Sequence, residues 1–430
     1  MISMPCGGIF VFVVSFLAGG KKLRKMGIIV QKFGGSSVAT PANMKDVARR
    51  IVKCKDEGNE VVVVVSAPGD ETDNLIDLAK QITDTPDERE MDVLLATGEQ
   101  KSIALMAIAI KSLGCDAISF TGPQVGIVTD DVHGKARIVK IGGEKIVKAL
   151  KLDKVVIVAG FQGMDVDEDI TTLGRGGSDL TAVAIATALG AEVCELYKDV
   201  DGILTTNPKI VPEARLIKNI SYEEMLEMAS AGAQVVNARS IEYAQRYNMP
   251  VRVRPTFNEG MGTMITKEAK EMEKLYVSGV TYSKDEAKVT VYGIPDKPGN
   301  AGAIFRALAD ENINVDMIVQ DVSEEGVTNL SFTIGKEELK KSLAAVEKVK
   351  ARIGIKNIMI DEGIAKISVI GVGMRSHAGV AAMMFEALSE SGVNIEMIST
   401  SEIKISVVID KAKTEDAVRK LHLKFNLDKI

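Results

Sequence analysis

Three glycine-bearing loops hold the side chains best suited to chemistry. Lys32-Phe33-Gly34-Gly35-Ser36-Ser37 follows an apolar run and precedes a helical pattern. Glycines at a strand-to-helix turn let backbone amides close on a phosphate, the helix start favours an anion, and Lys32 adds a point charge. The spacing is not GxxxxGK[ST], so the loop is no P-loop, and taken alone it also fits an ordinary turn. Gly174-Arg175-Gly176-Gly177-Ser178-Asp179 opens a second helix, Leu180 to Leu189. Arg175 can grip a carboxylate through two parallel bonds, and Asp179 can hold a lysine or a metal. Tyr197-Lys198-Asp199-Val200-Asp201-Gly202 again lies at a strand end, where open α/β sheets gather ligands. One such loop reads as a solvated turn; three are harder to explain that way.

Other chemistries find little support. Cysteines stand at 6, 54, 115 and 194 without a CxxC pair, and histidines only at 133, 377 and 422, which excludes a Cys/His zinc cage. With no Gly-flanked serine elbow and no Cys beside a His, nucleophilic catalysis by a thiol or a Ser-His-Asp triad has no basis. The thiols read as buried and reduced, which implies the cytoplasm. Lys and Arg total 53 against 59 Asp and Glu, a net charge of -6, so the chain is no general nucleic-acid binder and small molecules are its natural partners. Gly371-Val372-Gly373-Met374-Arg375-Ser376 imitates a dinucleotide fingerprint, but Ser376 replaces the third glycine and the segment repeats a loop at 293 that lacks the motif.

The elements that must position these loops follow from periodicity. A chain of 430 residues, 46% apolar and 26% charged, can build two to four domains. Ile28 to Val30, Val61 to Val65 and Val155 to Ala159 are continuous apolar runs, the pattern of strands buried on both faces. Asn43 to Lys55 places Met44, Val47, Ala48, Ile51 and Val52 on one helical face. Residues 26–266 therefore read as a three-layer α/β domain with a mainly parallel central sheet, and 267–285 as a linker. In residues 1–25, the apolar run Ile9 to Ala18 precedes Lys21, Lys22, Arg24 and Lys25. It is too short to span a bilayer, and a secretory signal would carry its charge first. That stretch is expected to be a non-structural leader or the product of a mis-called start, with Met26 reading as the natural one, and not a membrane anchor.

An internal repeat appears when Lys288 to Ile318 is laid over Lys366 to Ile398, matching Gly293 with Gly371, Phe305 with Phe385, Asn314 with Asn394 and Met317 with Met397. Each copy reads strand, loop, helix, strand, strand, helix, giving units at 286–362 and 363–430. Units this small must pair to bury their faces.

Taken in order, KFGGSS, VVVSAPGDETDNL, LLATGEQ, TLGRGGSDLTAVAIA and YKDVDGILTTNP resemble the motif series of the aspartate kinases of the amino acid kinase family. The repeat resembles their tandem ferredoxin-like ACT domains. The resemblance implies ATP-dependent phosphorylation of the β-carboxylate of L-aspartate to 4-phospho-L-aspartate, first step toward lysine, threonine and methionine. By it, Lys32 binds and stabilises the transferring phosphoryl group, supported by Gly34, Gly35 and Ser36, and Asp179 orients Lys32. Arg175 would hold the substrate α-carboxylate and Glu99 its α-amino group, with Ser66, Thr72, Phe161 and Ser178 lining the pocket. Lys198, Asp199, Leu204, Lys209 and Gln234 would border the nucleotide. Mg²⁺ would travel with ATP, largely solvated, without protein ligands of its own.

The chain departs from the family pattern at Lys198, Leu204, Asn207 and Lys209, where the usual motif is YTDVDGVYTADPR, and at Gln234, where lysine is usual. Lys198 would then replace the missing cation. In the repeat, Asp296 to Ala301 and Gln320-Asp321-Val322-Ser323 resemble an effector site, completed by Met374, Ser376 and His377 and by Ser399 to Glu402, including Thr400. The implied effectors are lysine, threonine or both, and the implied assembly is a homodimer or larger through the ACT units. Met272 resembles an internal start for a separate regulatory subunit, though a plain core methionine fits it as well. Two rivals stand beside this reading: another carboxylate kinase of the family, and a non-catalytic amino-acid-binding regulator.

Overall fold

The computed structural model describes residues 27–233, 235–267, 276–322 and 326–429. Within 27–266 the centre is an eight-stranded sheet. From edge to edge it runs Asn219–Ser221, Thr263–Thr266, Val251–Pro255, Val193–Lys198, Ile28–Phe33, Glu60–Val65, Val155–Ala159 and Ala117–Phe120. Neighbours are parallel except Val251–Pro255 against Thr263–Thr266. Ile28–Phe33 has sequence-later strands on both sides, so the direction of winding reverses there, and a crevice opens at its carboxyl end.

Helices cover both faces, which explains the unbroken apolar runs. On one face Val30, Val62, Val64 and Leu196 pack on Ala182, Val183 and Ile185 of the helix Gly177–Leu189. On the other, Phe33, Val61, Val63 and Tyr197 meet Val47 and Ile51 of Pro41–Asp56 and Ile103, Met106 and Ile110 of Glu88–Ser112. Each such side chain is fully or almost fully buried, and burial contributes about 1.5–3 kcal/mol apiece. The helix Glu88–Ser112 is long and apolar enough to cross a membrane by composition, yet it buries Asp92, Glu99 and Ser102 inside the domain.

The two repeat units each form a four-stranded antiparallel sheet with two helices. The first orders its strands Ile318–Val322, Val327–Gly335, Glu286–Pro295, Asn357–Asp361; the second Gly279–Ser283, Ile364–Ile370, Lys404–Asp410, Met397–Thr400. This corrects the linker expected at 267–285: Gly279–Ser283 pairs antiparallel with Ile364–Ile370, so the first unit is inserted after the opening strand of the second. The pairing spans the whole first unit, beyond the reach of local pattern. Residues 268–275, including Met272, lie outside the described residues, as do 1–25. Between the units, Met317, Ile364, Met397 and Val408 form an apolar cluster. Beside it the buried Lys366 pairs with Glu286 at 2.5 Å and with Asp316.

The second unit also docks on the 27–266 domain. The helix Tyr222–Ser230 offers three glutamates: Glu223 to Arg375 at 3.1 Å, Glu224 to the Val372 amide at 3.2 Å and Ser278 Oγ at 2.5 Å, and Glu227 to Lys404 at 2.8 Å.

Strand pairing at 279–283 has a direct consequence. A fragment 272–430 is expected to unfold cooperatively, whereas 286–430 bares the Ile364–Ile370 edge and is expected to lose the second unit's transition or to self-associate. Circular-dichroism melts with size-exclusion chromatography check this; matching behaviour would contradict the assignment.

Candidate active site

Strand alternation aims both lysines at one helix. Lys32 lies two residues beyond Val30 and Lys198 two beyond Leu196, and Lys32 and Leu196 are register partners, so the two amines project from the face covered by Gly177–Leu189. Asp179 stands in the first turn of that helix, where the backbone favours negative charge. Lys32 Nζ lies 2.6 Å from Asp179 Oδ1, and Lys198 Nζ donates to Asp179 Oδ2 at 2.7 Å. On the opposite face the next residues, Phe33 and Tyr197, stack with centroids 4.6 Å apart, locking the strand ends.

Asp179 is 2% and Lys32 5% exposed, so charge here is weakly screened. Burial works to raise the Asp179 pKa, but Lys198 and Lys32 outweigh it and hold the carboxyl well below its usual range. Burial pushes Lys32 down, Asp179 opposes it, and Lys198 pushes the same way as burial. Two cations on one carboxylate leave a local surplus of positive charge, suited to an anion.

The loops around this cluster interlock. Gly35 has no room for a side chain, since a Cβ would lie 2.9 Å from the Ala67 carbonyl oxygen, and the Gly69 amide donates to Gly35 O at 3.0 Å. Ser36 is exposed, Gly34 half-buried, and Ser37 turns inward to share a 2.7 Å hydrogen bond with Thr256. Glu99 is 3% exposed; Oε1 accepts the Ala67 amide at 2.9 Å, while Oε2 has no hydrogen-bond partner among the described residues. Burial raises Glu99 to about 7 against the Ala67 hydrogen bond and the field of Lys32. Ser66 and Thr72 lie half-buried on either side of that loop. Phe161 adopts φ +69°, a left-handed conformation that costs a bulky residue about 1–3 kcal/mol. Its amide donates to Thr181 Oγ1 at 3.1 Å and its carbonyl accepts Leu173 N at 2.8 Å. Ser178 is buried beside it.

Arg175 is exposed at the mouth, and among the described residues it has no carboxylate partner. Sequence reading missed what holds its loop. Asn237 Nδ2 donates to Arg175 O at 2.8 Å, and Arg239 donates to Leu173 O at 2.7 Å and Ala136 O at 2.9 Å. Asp92 secures the adjoining segment, accepting from Thr172 Oγ1 at 2.5 Å, His133 Nδ1 at 2.9 Å and the Gly134 amide. No local signal marks these residues, because each acts across 41 or more positions of sequence.

The third loop continues from Lys198 through exposed Asp199 to half-buried Leu204, which bridges Leu216, and exposed Lys209. Gln234 and Ser323 lie outside the described residues. In the repeat, Asp296, Gln320, Asp321, Ser376, His377, Thr400 and Glu402 are exposed, with Ala301 and Met374 half-buried. Met374, Ser376 and His377 gather around Gly373, whose carbonyl accepts His377 Nδ1 at 3.0 Å, and Arg375 pairs with Glu402 at 3.0 Å. Among the described residues no hydrogen bond or ion pair joins this set to Asp296, Ala301, Gln320 and Asp321.

A three-layer sheet with a lysine–carboxylate–lysine cluster at its winding reversal, followed by paired ferredoxin-like units, defines a phosphate-handling enzyme with a regulatory half. The family models agree: residues 27–255 match the amino acid kinase family, and 289–349 and 367–425 match the ACT domain. The chain belongs to the amino acid kinase family, among its aspartokinases. It is 51% identical to the aspartate kinase of Pseudomonas putida over 94% of this chain and 98% of that one, and 50% identical to the aspartokinase of Pseudomonas aeruginosa over the same shares. Its structure resembles E. coli aspartokinase III in complex with aspartate and ADP, at 26% identity and a TM-score of 0.79, over 92% of this chain and 99% of that one.

Glu99 supplies a prediction that needs no ligand. Its carboxyl titrates near 7 when folded and near 4.5 otherwise, so between those values the folded state holds a proton that the unfolded chain has lost. Stability from this group is present at low pH and lost as pH rises through about 7. Glu99→Gln is expected to raise stability at pH 8 by about 3 kcal/mol and to leave pH 4 unchanged. Denaturant titrations at both pH values check it; a gain of equal size at pH 4 would refute the cause.

Proposed function

We propose that the chain transfers the γ-phosphoryl group of ATP to the β-carboxylate of L-aspartate, in the cytoplasm, as the first step toward lysine, threonine and methionine. The observation that carries this reading is the Lys32–Asp179–Lys198 cluster, in which Lys32 and Asp179 are buried and the field of Lys32 reaches Glu99. In the transfer, a β-carboxylate oxygen forms a bond to the γ-phosphorus, the bond to the β–γ bridging oxygen breaks, and ADP leaves with that electron pair. Such a reaction asks the protein for position and charge, not for a nucleophile. Lys32 neutralises the transferring group, Asp179 fixes Lys32 and Lys198 together, and Lys198 adds the second cation. Arg175, without an acidic partner among the described residues, takes the substrate α-carboxylate in two parallel bonds, and the unused Glu99 oxygen takes the α-ammonium.

Among the described residues no three acidic, histidine or cysteine side chains gather into a metal site, and Asp179 is committed to lysines. This donor set fits Mg²⁺ held by the nucleotide phosphates, where it neutralises charge. The rival readings, another carboxylate kinase or a silent regulator, have less support: the aligned relatives are aspartate kinases over nearly their full length.

Hydroxylamine trapping with ATP, Mg²⁺ and aspartate is expected to yield the aspartyl hydroxamate. Lys32→Ala should lower kcat about 10³-fold, and Arg175→Ala should chiefly raise KM for aspartate. Since the ammonium needs ionised Glu99, that KM should fall as pH rises through about 7 in the parent and lose this dependence in Glu99→Gln. Near-parental rates in both Lys32→Ala and Arg175→Ala would refute the site.

Feedback belongs to the same reading. E. coli aspartokinase III has been solved with lysine and aspartate, and that structure resembles this one with a TM-score of 0.71 at 25% identity. Lysine, threonine or the pair should inhibit by favouring a less competent state, through the half-sites at Asp296, Ala301, Gln320, Asp321 and Ser323 and at Met374, Ser376, His377, Thr400 and Glu402. Pairing of chains is the means by which separate half-sites are completed, and exposed Ile318, Ile398, Met359 and Ile360 on the regulatory units suit it. Asp321→Leu should relieve inhibition while sparing uninhibited activity, and light scattering should give at least a dimer. Indifference to both amino acids at millimolar levels, singly and together, would end the effector proposal.

A further inference from the structure

The loop that carries the proposed nucleotide residues is built into the regulatory half. Ile210 and Val211, which end it, are 7% and 6% exposed, and they belong to the second unit's core with Val277, Val280, Leu421, Phe425 and Leu427. Thr205, one residue after Leu204, is 1% exposed and bound from two sides. Its carbonyl accepts the Val280 amide of the edge strand at 2.8 Å. Its hydroxyl, which accepts the Arg215 amide at 2.9 Å, shares a 2.9 Å hydrogen bond with Nε2 of His422 in the helix Thr414–Lys424. Asn207 Nδ2 donates to Tyr282 Oη at 2.9 Å, and Arg419 Nε donates to Ile210 O at 3.2 Å. Gly279 makes the approach feasible, because a Cβ there would lie 2.8 Å from Thr205 O. Among the described residues, the hydrogen bonds and ion pairs between 27–266 and the repeat all reach the second unit and none the first.

We infer that His422, with Thr205, is a positioning residue for ATP: the second regulatory unit sets the conformation of the loop that binds nucleotide, and through it the affinity for ATP more than for aspartate. His422 is 2% exposed. Burial lowers its pKa against the pull of Asp428 and Glu213, which keeps the ring neutral beside the hydroxyl. The aspartate side is held by other means, since Asn237, Arg239 and Asp92 fasten the Arg175 loop from within the kinase half. The inference rests on the assignment of the 198–209 loop to nucleotide in the proposed function. It adds the direction of regulation: a shift of the second unit against the kinase half is read at the ATP site.

The test compares His422→Leu with His422→Gln, which retains a polar amide for Thr205, in the full-length protein. His422→Leu is expected to raise KM for ATP roughly 3- to 10-fold, the scale of one net hydrogen bond. KM for aspartate should stay within about twofold of parental, and His422→Gln should recover most of the loss. Thr205→Val against Thr205→Ser repeats the comparison from the other partner if His422→Leu does not fold. A purely structural role would lower the active fraction, and hence apparent kcat, with both KM values unchanged, and that outcome overturns the inference. Hydrogen exchange of the parent with and without ADP separates the two layers. Protection of 199–209 by ADP with an unchanged ATP KM in His422→Leu defeats the inference alone, while absence of that protection defeats the nucleotide assignment and the inference with it.

Discussion

Asp179 is the constraint on which the site depends. A carboxylate 2% exposed between two lysines is tolerable only because the helix start, Lys32 and Lys198 together offset its loss of water. Removing one partner from a buried pair typically leaves an uncompensated charge at a cost of about 3–5 kcal/mol. The same arrangement therefore fixes the relative positions of two central strands and one helix. It also leaves one positive charge in excess, pointed at the crevice where the sheet reverses its winding.

The third layer of constraint comes from the regulatory half. A loop that begins at Lys198 and ends with Ile210 and Val211 in another unit's core cannot adopt its conformation independently of that unit. The glutamates of Tyr222–Ser230 reinforce this docking. Glu223 pairs with Arg375, the neighbour of Met374 and Ser376, so this pair joins one proposed effector half-site to the kinase half.

Much of this was legible in the sequence, for physical reasons that differ by element. Ile28, Val61 to Val65 and Val155 to Ala159 read as strands because burial on both faces leaves no polar alternation to confuse. The Lys32 and Asp179 pairing was legible through motif resemblance, and alternation then predicts that Lys198 shares the face. What escaped reading acts across long separations. Gly279–Ser283 is five residues long, and its partner strand lies beyond an entire inserted unit. Nothing local in the sequence ties His422 to Thr205, which lies 217 positions away.

Two kinds of fastening thus divide the site. The Arg175 loop is secured by Asn237, Arg239 and Asp92 from within the kinase half; the 198–211 loop is secured from the regulatory half. An effector can change an equilibrium only by binding two states unequally, and those states must differ somewhere in contacts shared by both halves. Within the described residues such contacts lie at the 203–211 loop and the Tyr222–Ser230 helix, and both join the second unit alone. Among the described residues the first unit touches the second across Lys366 with Glu286 and Asp316 and the Met317–Ile364–Met397–Val408 cluster. That cluster is small, and beside it Lys288 of the first unit also pairs with Glu396 of the second. Motion between the two regulatory units thus meets less apolar resistance than motion within either one, whose own cores are far larger.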